Sequence, residues 1–266
     1  MDGYFFLDAF YKMAPSFVEK IATILFIFII CLFCVCFSCP TRAETSLDTG
    51  AWASRFETGA TGTQGNSETF DYRAAFGSVY QTDETRLKLD ASYFYGSNED
   101  MITRNEYTAG ILNDWFFAES PWSIFVDGRY DWNAFEFWES RISVHGGVAN
   151  KIIDAEDIES YLRMGGGATK EYGSENEDIK PEGLVGGEIT WRIAEGQELY
   201  GDITYYPDFS TSGEYRILSS FRYKVDINSA KGISMGIGAE DEYQSAVDPG
   251  FEHNNLKYYS TLAIDF

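Results

Sequence analysis

The chain has 266 residues, a formal net charge of −22, 17% aromatic residues, and 25 glycines against 6 prolines. That charge argues against a nucleic-acid partner, which would need a basic face for its phosphates. The Tyr, Phe and Gly content favours β structure over helix, and the length sets the limit at one ordinary domain or a single barrel.

In chain order, residues 1–43 read as an export signal. Lys12 and Lys20 precede an apolar run from Ile21 to Phe37. Pro40 then breaks the helix, and Thr41 and Ala43 are the small residues that a signal peptidase requires. Cleavage is expected after Ala43, which makes residues 44–266 the barrel domain. Met13 is an alternative start. An uncleaved membrane anchor and a lipid-modified Cys39 remain alternatives to cleavage. The cysteines, Cys31, Cys34, Cys36 and Cys39, all fall in this run. Their CxxCxCxxC spacing could pass for a metal site. With no His or acid nearby, however, they read as small hydrophobes, so no metal or other cofactor is expected.

From Gly50 onward the apolar residues recur with a period of two, and no sustained helical period follows. The segments fall at 51–61, 69–80, 85–96, 103–117, 122–133, 140–152, 158–170, 182–193, 198–206, 214–225, 232–243 and 255–266. Alternation is clearest in the third, where Leu87, Leu89, Ala91, Tyr93 and Tyr95 oppose Arg86, Lys88, Asp90 and Ser92. In the fourth, Leu112 and Asp114 make it waver. Gly146-Gly147, Gly165-Gly166-Gly167 and Gly186-Gly187 mark the sixth to eighth as sharply curved or closely packed. The final stretch, Tyr258 to Phe266, is a strand with one apolar face and an aromatic residue at each end.

A soluble sandwich would show the same alternation. Three features favour an all-β, single antiparallel up-and-down transmembrane barrel of about twelve strands. Joints alternate between short turns, such as Gln81–Glu84 and Ala194–Gln197, and longer loops, such as Pro207–Gly213 and Gln244–Asn254. Aromatics gather at strand ends: Trp52, Tyr80, Trp115, Trp122, Trp191, Tyr223 and Phe266 at one, and Phe70, Tyr95, Trp132, Tyr205, Tyr215 and Tyr258 at the other. Two such belts match two membrane interfaces. The chain also ends on Phe266. Tyr258, Leu262, Ile264 and Phe266 are therefore expected to form a C-terminal signal for the barrel-insertion machinery. Pro121, Pro181, Pro207 and Pro249 all fall in predicted joints, which supports the segmentation.

With the strands laid out, the chain resembles the salt-induced outer-membrane protein family, a bacterial domain of unknown function. The resemblance rests on the Trp52 strand and the hairpin Thr61-Gly62-Thr63-Gln64-Gly65-Asn66-Ser67-Glu68-Thr69. It continues through Gly128-Arg129-Tyr130-Asp131 and Lys151-Ile152-Ile153-Asp154 to the terminal strand. It implies an outer-membrane barrel, with no established reaction or ligand.

If the apolar faces meet lipid, the charged faces line the lumen. Arg73, Arg86, Lys88, Asp90, Asp127, Arg129, Asp131, Glu188, Arg192, Asp202, Arg216, Arg222, Lys224 and Glu240 are expected there. Such mixed charge either interlocks as a stiffening plug or lines a narrow polar path. Ser143 and His145 share a strand face, yet the His-x-Ser-Asn-Gly arrangement of the outer-membrane phospholipase is absent. His253 lies near Asp248 and Glu252 without a motif, so no catalytic residue is assigned. Acids in the outer loops (Glu99, Asp100, Glu136, Glu139, Glu171, Glu175, Glu177, Asp178, Asp208, Asp248 and Glu252) would recruit divalent cations beside lipopolysaccharide.

The sequence thus points to an outer-membrane barrel of a Gram-negative bacterium, with both termini periplasmic. Its role is structural or that of a narrow, weakly selective pore. A barrel hydrolase acting on lipid or peptide, and a soluble periplasmic sandwich that binds a ligand, are the alternatives. The expected partners are outer-membrane lipid, lipopolysaccharide and the insertion machinery, with surface divalent cations and no nucleic acid.

Overall fold

The structure is a computed structural model that describes residues 50–64, 68–99, 101–174 and 177–266. The export segment with its cysteine run, and Gly65-Asn66-Ser67 of the first hairpin, lie outside those residues.

The described chain is β structure apart from one short 3-10 turn, Ser229–Lys231. The strands are β1 (Trp52–Thr63), β2 (Thr69–Gln81), β3 (Thr85–Asn98), β4 (Met101–Phe116), β5 (Trp122–Asn133) and β6 (Ser140–Asp154). They continue as β7 (Ile158–Tyr172), β8 (Lys180–Ala194), β9 (Gln197–Pro207), β10 (Tyr215–Asn228), β11 (Ile233–Gln244) and β12 (Asn254–Asp265). Each pairs antiparallel with its sequence neighbours, and β12 returns to β1 to close the barrel. Closure removes every sheet edge and so satisfies the backbone polar groups that lipid cannot.

The closing seam runs from Arg55↔Asp265 to Thr58↔Leu262. It is extended by the amide of Ser54 donating to the Phe266 carbonyl at 2.9 Å, and by the Phe266 amide donating to Ser54 at 2.8 Å. An Arg55–Asp265 ion pair at 2.6 Å crosses the same seam inside the barrel.

The alternating pattern becomes two surfaces. Outside lie exposed apolar side chains, including Ile124, Val144, Leu162, Ile203, Ile237 and Leu262. Trp52, Trp115, Trp122, Trp191 and Phe266 are exposed at the end that carries the short turns; Phe70, Tyr205 and Tyr258 are exposed at the long-loop end. Several of these rings touch across strands, as in Trp52–Tyr80 at 5.3 Å and Phe70–Tyr95 at 6.4 Å. Inside lie charged and polar groups, the reverse of a water-soluble protein.

Two sequence expectations are corrected. Pro181 and Pro207 fall within strand ends rather than joints, because the ladder reaches them as Ala168↔Pro181 and Tyr215↔Pro207. The terminal position is what makes the missing N–H tolerable. Glu171, expected in a loop, belongs to β7 and is buried. The glycine-rich run of β6 and β7 is a site of close approach. A Cβ at Gly147 would come within 2.2 Å of the Met164 carbonyl oxygen, and one at Gly167 within 2.0 Å of that of Val144. Only glycine lets the two strands approach so closely here.

Candidate functional site: the barrel lumen

Strand register decides which residues share the interior. Glu57 lies opposite Ala75, Arg73 opposite Phe94, Arg86 opposite Asp114 and Asp131 opposite Arg141. A stricter test is an ion pair between strands that are not neighbours in the sheet, since only side chains crossing the lumen can make one. Arg86 of β3 meets Glu188 of β8 at 3.1 Å, and Arg73 of β2 meets Glu240 of β11 at 3.0 Å. Arg141 of β6 meets Glu242 of β11 at 2.5 Å, Lys257 of β12 meets Glu106 of β4 at 2.9 Å, and Arg222 of β10 meets Glu57 of β1 at 3.3 Å.

Toward the short-turn end, Asp114 is a fully buried hub. Its carboxylate accepts from Arg86 Nη2 at 2.8 Å and from Arg163 Nη2 at 3.2 Å. Glu188 closes the network by pairing with Arg86, with Lys88 at 3.1 Å and with Arg163 at 3.2 Å. The Arg86 guanidinium lies 4.2 Å from the centre of the Tyr161 ring, and Arg163 lies 5.9 Å from that of Phe125. The aromatic faces supply a favourable surface for these delocalised cations.

On another side Glu57 accepts from Arg73 at 3.1 Å, and the Arg73 guanidinium stacks 3.9 Å from the Tyr259 ring. Near the seam, Lys224 bridges Asp226 and Asp265, each at 3.2 Å.

A third cluster surrounds His145, which is almost fully buried. Its Nε2 lies 3.2 Å from Glu182 Oε2, and its Nδ1 lies 3.8 Å from Asp127. The same Glu182 oxygen accepts from Thr169 Oγ1 at 2.7 Å and from Arg216 at 3.3 Å. The sequence reading placed Ser143 and His145 on one face, and that is where they sit. Ser143 Oγ, however, lies 2.8 Å from Thr169 Oγ1, which spends its own O–H on Glu182, so the Ser143 hydroxyl donates to Thr169, while the His145 ring faces Glu182. A nucleophile and base would need that hydrogen bond directly between them. His253 lies at the long-loop end, with its Nδ1 2.7 Å from the Gln244 carbonyl oxygen and its ring stacked on Tyr243.

The other residues expected in the lumen fall as follows. Arg129 pairs with buried Asp131 at 2.9 Å, and Asp202 accepts a short hydrogen bond from Ser220. Lys88, Asp127, Arg129, Arg222 and Glu240 keep part of their surface open, and Asp90 is exposed despite its place on the inward face. Arg192 departs from expectation. The pairing of β8 with β9 shifts between Arg192 and Ala194, and the side chain is exposed at the short-turn rim, donating to the Glu156 carbonyl at 2.5 Å.

Sequence reasoning missed Glu57, Asp114, Arg141, Arg163, Glu182 and Glu242 as members of these networks. Period-two counting along a strand reaches Glu182 from Glu188, Glu242 from Glu240 and Arg141 from Ser143 and His145. It could not have found Trp138, which is buried although it lies in a loop, residues 134–139. Arg141 sits 4.1 Å from that indole ring and also donates to Glu171 at 3.0 Å.

A closed antiparallel barrel with an apolar exterior, aromatic ends and a charged interior defines a transmembrane barrel of the outer-membrane class. The chain belongs to the family described as protein of unknown function DUF481, whose model matches residues 56–266. No curated protein matches it. Among solved structures it is similar to the NanC porin at 11% identity and a TM-score of 0.47, over 80% of this chain and 98% of that one. It is also similar to an outer membrane channel from Pseudomonas putida F1 at 10% identity and a TM-score of 0.46, over 86% and 99% of the two chains. The beta domain of the Bordetella autotransporter BrkA matches at 11% identity and a TM-score of 0.41, over 81% and 98%.

Proposed function

We propose that the barrel is a narrow, weakly selective passage for small polar solutes in the outer membrane of a Gram-negative bacterium. The observation that carries this is Asp90: an inward-facing carboxylate in mid-strand that is nonetheless exposed. Water therefore reaches the middle of the lumen beside Lys88, Asp127 and Arg129. A lumen lined by both signs of charge favours small polar or zwitterionic solutes over large or apolar ones. The short-turn end, with both strand termini, is periplasmic on this reading, and the long-loop end faces out. Tyr258, Leu262 and Ile264 share the exposed outer face of β12, and Phe266 just beyond it is exposed too, where the insertion machinery could read them. Exposed loop acids such as Glu177, Asp178 and Glu252 would hold divalent cations against lipopolysaccharide; Asp100 and Glu175 lie outside the described residues.

Planar-bilayer recording of the folded full chain tests the passage, with discrete conductance steps expected. A well-folded sample that never conducts would leave the second reading, a scaffold stiffened by its salt bridges. The cross-lumen pairs Arg86–Glu188, Arg73–Glu240 and Arg141–Glu242 favour that reading.

A further inference from the structure

The loop between β5 and β6, residues 134–139, keeps Ala134, Phe135 and Glu139 exposed but buries Trp138, which an ordinary surface loop would not. Trp138 is only 2% exposed, packed down on Arg141, which itself crosses the lumen to Glu242 and Gln244 of β11. The ring of Phe137 meets that of Phe251, in the loop between β11 and β12, edge-on at 5.7 Å. Strands β5 and β6 are far from β11 and β12 in the closed sheet, so this contact spans the mouth. Backbone bonds hold the two ends of the loop: Ala134 N–H donates to the Asn105 carbonyl at 3.1 Å, and Glu139 N–H to that of Tyr172 at 2.8 Å. The buried Trp138 Nε1–H has no hydrogen-bond partner among the described residues, a cost that the packing of its ring offsets.

We propose that residues 134–139 are a lid over the long-loop mouth, latched by Trp138 and by the Phe137–Phe251 contact, and that ionisation of Glu136 releases it. The hinges are the two loop ends, and the moving part is the stretch carrying Glu136, Phe137 and Trp138. The consequence for flow rests on the passage proposed above, whereas the lid itself rests on these contacts alone.

Glu136 lies half-buried on this loop. Around it stand Glu242 of β11, Glu106 of β4, Arg141 of β6 and Lys257 of β12. Burial, reinforced by Glu242 and Glu106 against the pull of Arg141 and Lys257, raises its carboxyl from the usual 4.5 to about 7. In an open lid Glu136 would be solvated and titrate normally. The closed state binds the proton more tightly, so its advantage is full below about 4.5 and is lost as pH rises through about 7. Neutral to alkaline pH therefore opens the mouth and acid closes it.

The test is hydrogen exchange of the full chain folded in detergent, read as amide protection across residues 134–139 after correction for intrinsic rates. Protection should be roughly tenfold greater at pH 5 than at pH 8.5, an estimate kept below the full span because Glu136 is partly solvated. Glu136→Gln should stay protected at both values. Trp138→Ala should lose protection at pH 5, and Trp138→Phe should recover most of it. In bilayers, open probability should follow the same pH and variant pattern. Protection unchanged by Trp138→Ala would overturn the lid, and protection unchanged by pH would overturn its release by Glu136, whether or not the barrel conducts. Protection that follows the pattern in a barrel that never conducts would leave the lid standing and remove the passage.

Discussion

Two patches of one lumen are built from the same residue types and filled differently. Around Asp114, the side chains of Arg86, Tyr161, Arg163, Glu188 and Phe125 pack until almost no water reaches them. Around Asp90, the side chains of Lys88, Asp127, Arg129 and Glu240 stay partly wet. Both patches mix acids with bases, so charge composition does not separate them. Ring content does. Tyr161 and Phe125 carry the guanidinium groups of the first patch and fill the gaps between ion pairs. Asp90 faces Gly77 on β2 and Gly110 on β4, neighbours with no side chain to cover it. A salt bridge surrounded by rings is a wall, whereas a carboxylate between glycines is a wet surface.

The contrast can be broken, starting with the largest effect. Asp114→Ala leaves Arg86 and Arg163 to share Glu188 alone, one carboxylate for two guanidinium groups in a dry environment. It should cost about 3–5 kcal/mol, as removal of one member of a buried ion network does. Urea unfolding in vesicles, followed by the gel-mobility shift between unboiled and boiled samples, would measure it. A loss below about 1 kcal/mol would mean that the patch is wetter than its burial implies.

Next in size is Gly167→Ala, which drives a methyl group into the Val144 carbonyl and the His145 backbone. The expected loss is about 1–3 kcal/mol by the same assay, from overpacking of the curved wall. Gly77→Ala, where nothing lies within 4 Å of the added carbon, is the matched control and should be close to neutral.

The smallest effect on stability belongs to Asp90→Asn, within about 0.5 kcal/mol because the side chain is already solvated. Its signature should be functional: a shift of reversal potential toward anions in a salt gradient. An unchanged reversal potential in a conducting barrel would place the path elsewhere in the lumen.

Much of this architecture is legible in the sequence, for a physical reason. Lipid on one side and charge on the other impose a period of two on every strand, and the joints between periods are visible as polar and Gly/Pro-containing breaks. All twelve predicted segments correspond to strands, with no end moved by more than three residues. Leu112 and Asp114 are where the alternation of the fourth segment wavers. The register shows both facing in, opposite Lys88 and Arg86. An interior that is partly packed wants apolar groups among its charges, and alternation alone cannot announce that.

The candidate site was less legible. Glu136 reads as one more acid in an acidic loop, and nothing in the local pattern singles out Trp138. The structure instead folds both inward, because barrel closure brings β6 opposite β11 and sets Arg141 beneath the indole ring.

By itself, then, the sequence determined that this chain alternates, where its strands lie and which side chains share a face, since those follow from local periodicity and the demand that lipid makes on every residue it touches. Only the tertiary structure decided which inward charges meet across the lumen, which stay wet, and that one loop lies over the mouth. Those outcomes depend on the register of strands far apart in the chain, and no local pattern encodes the distance between β6 and β11 or between β3 and β8.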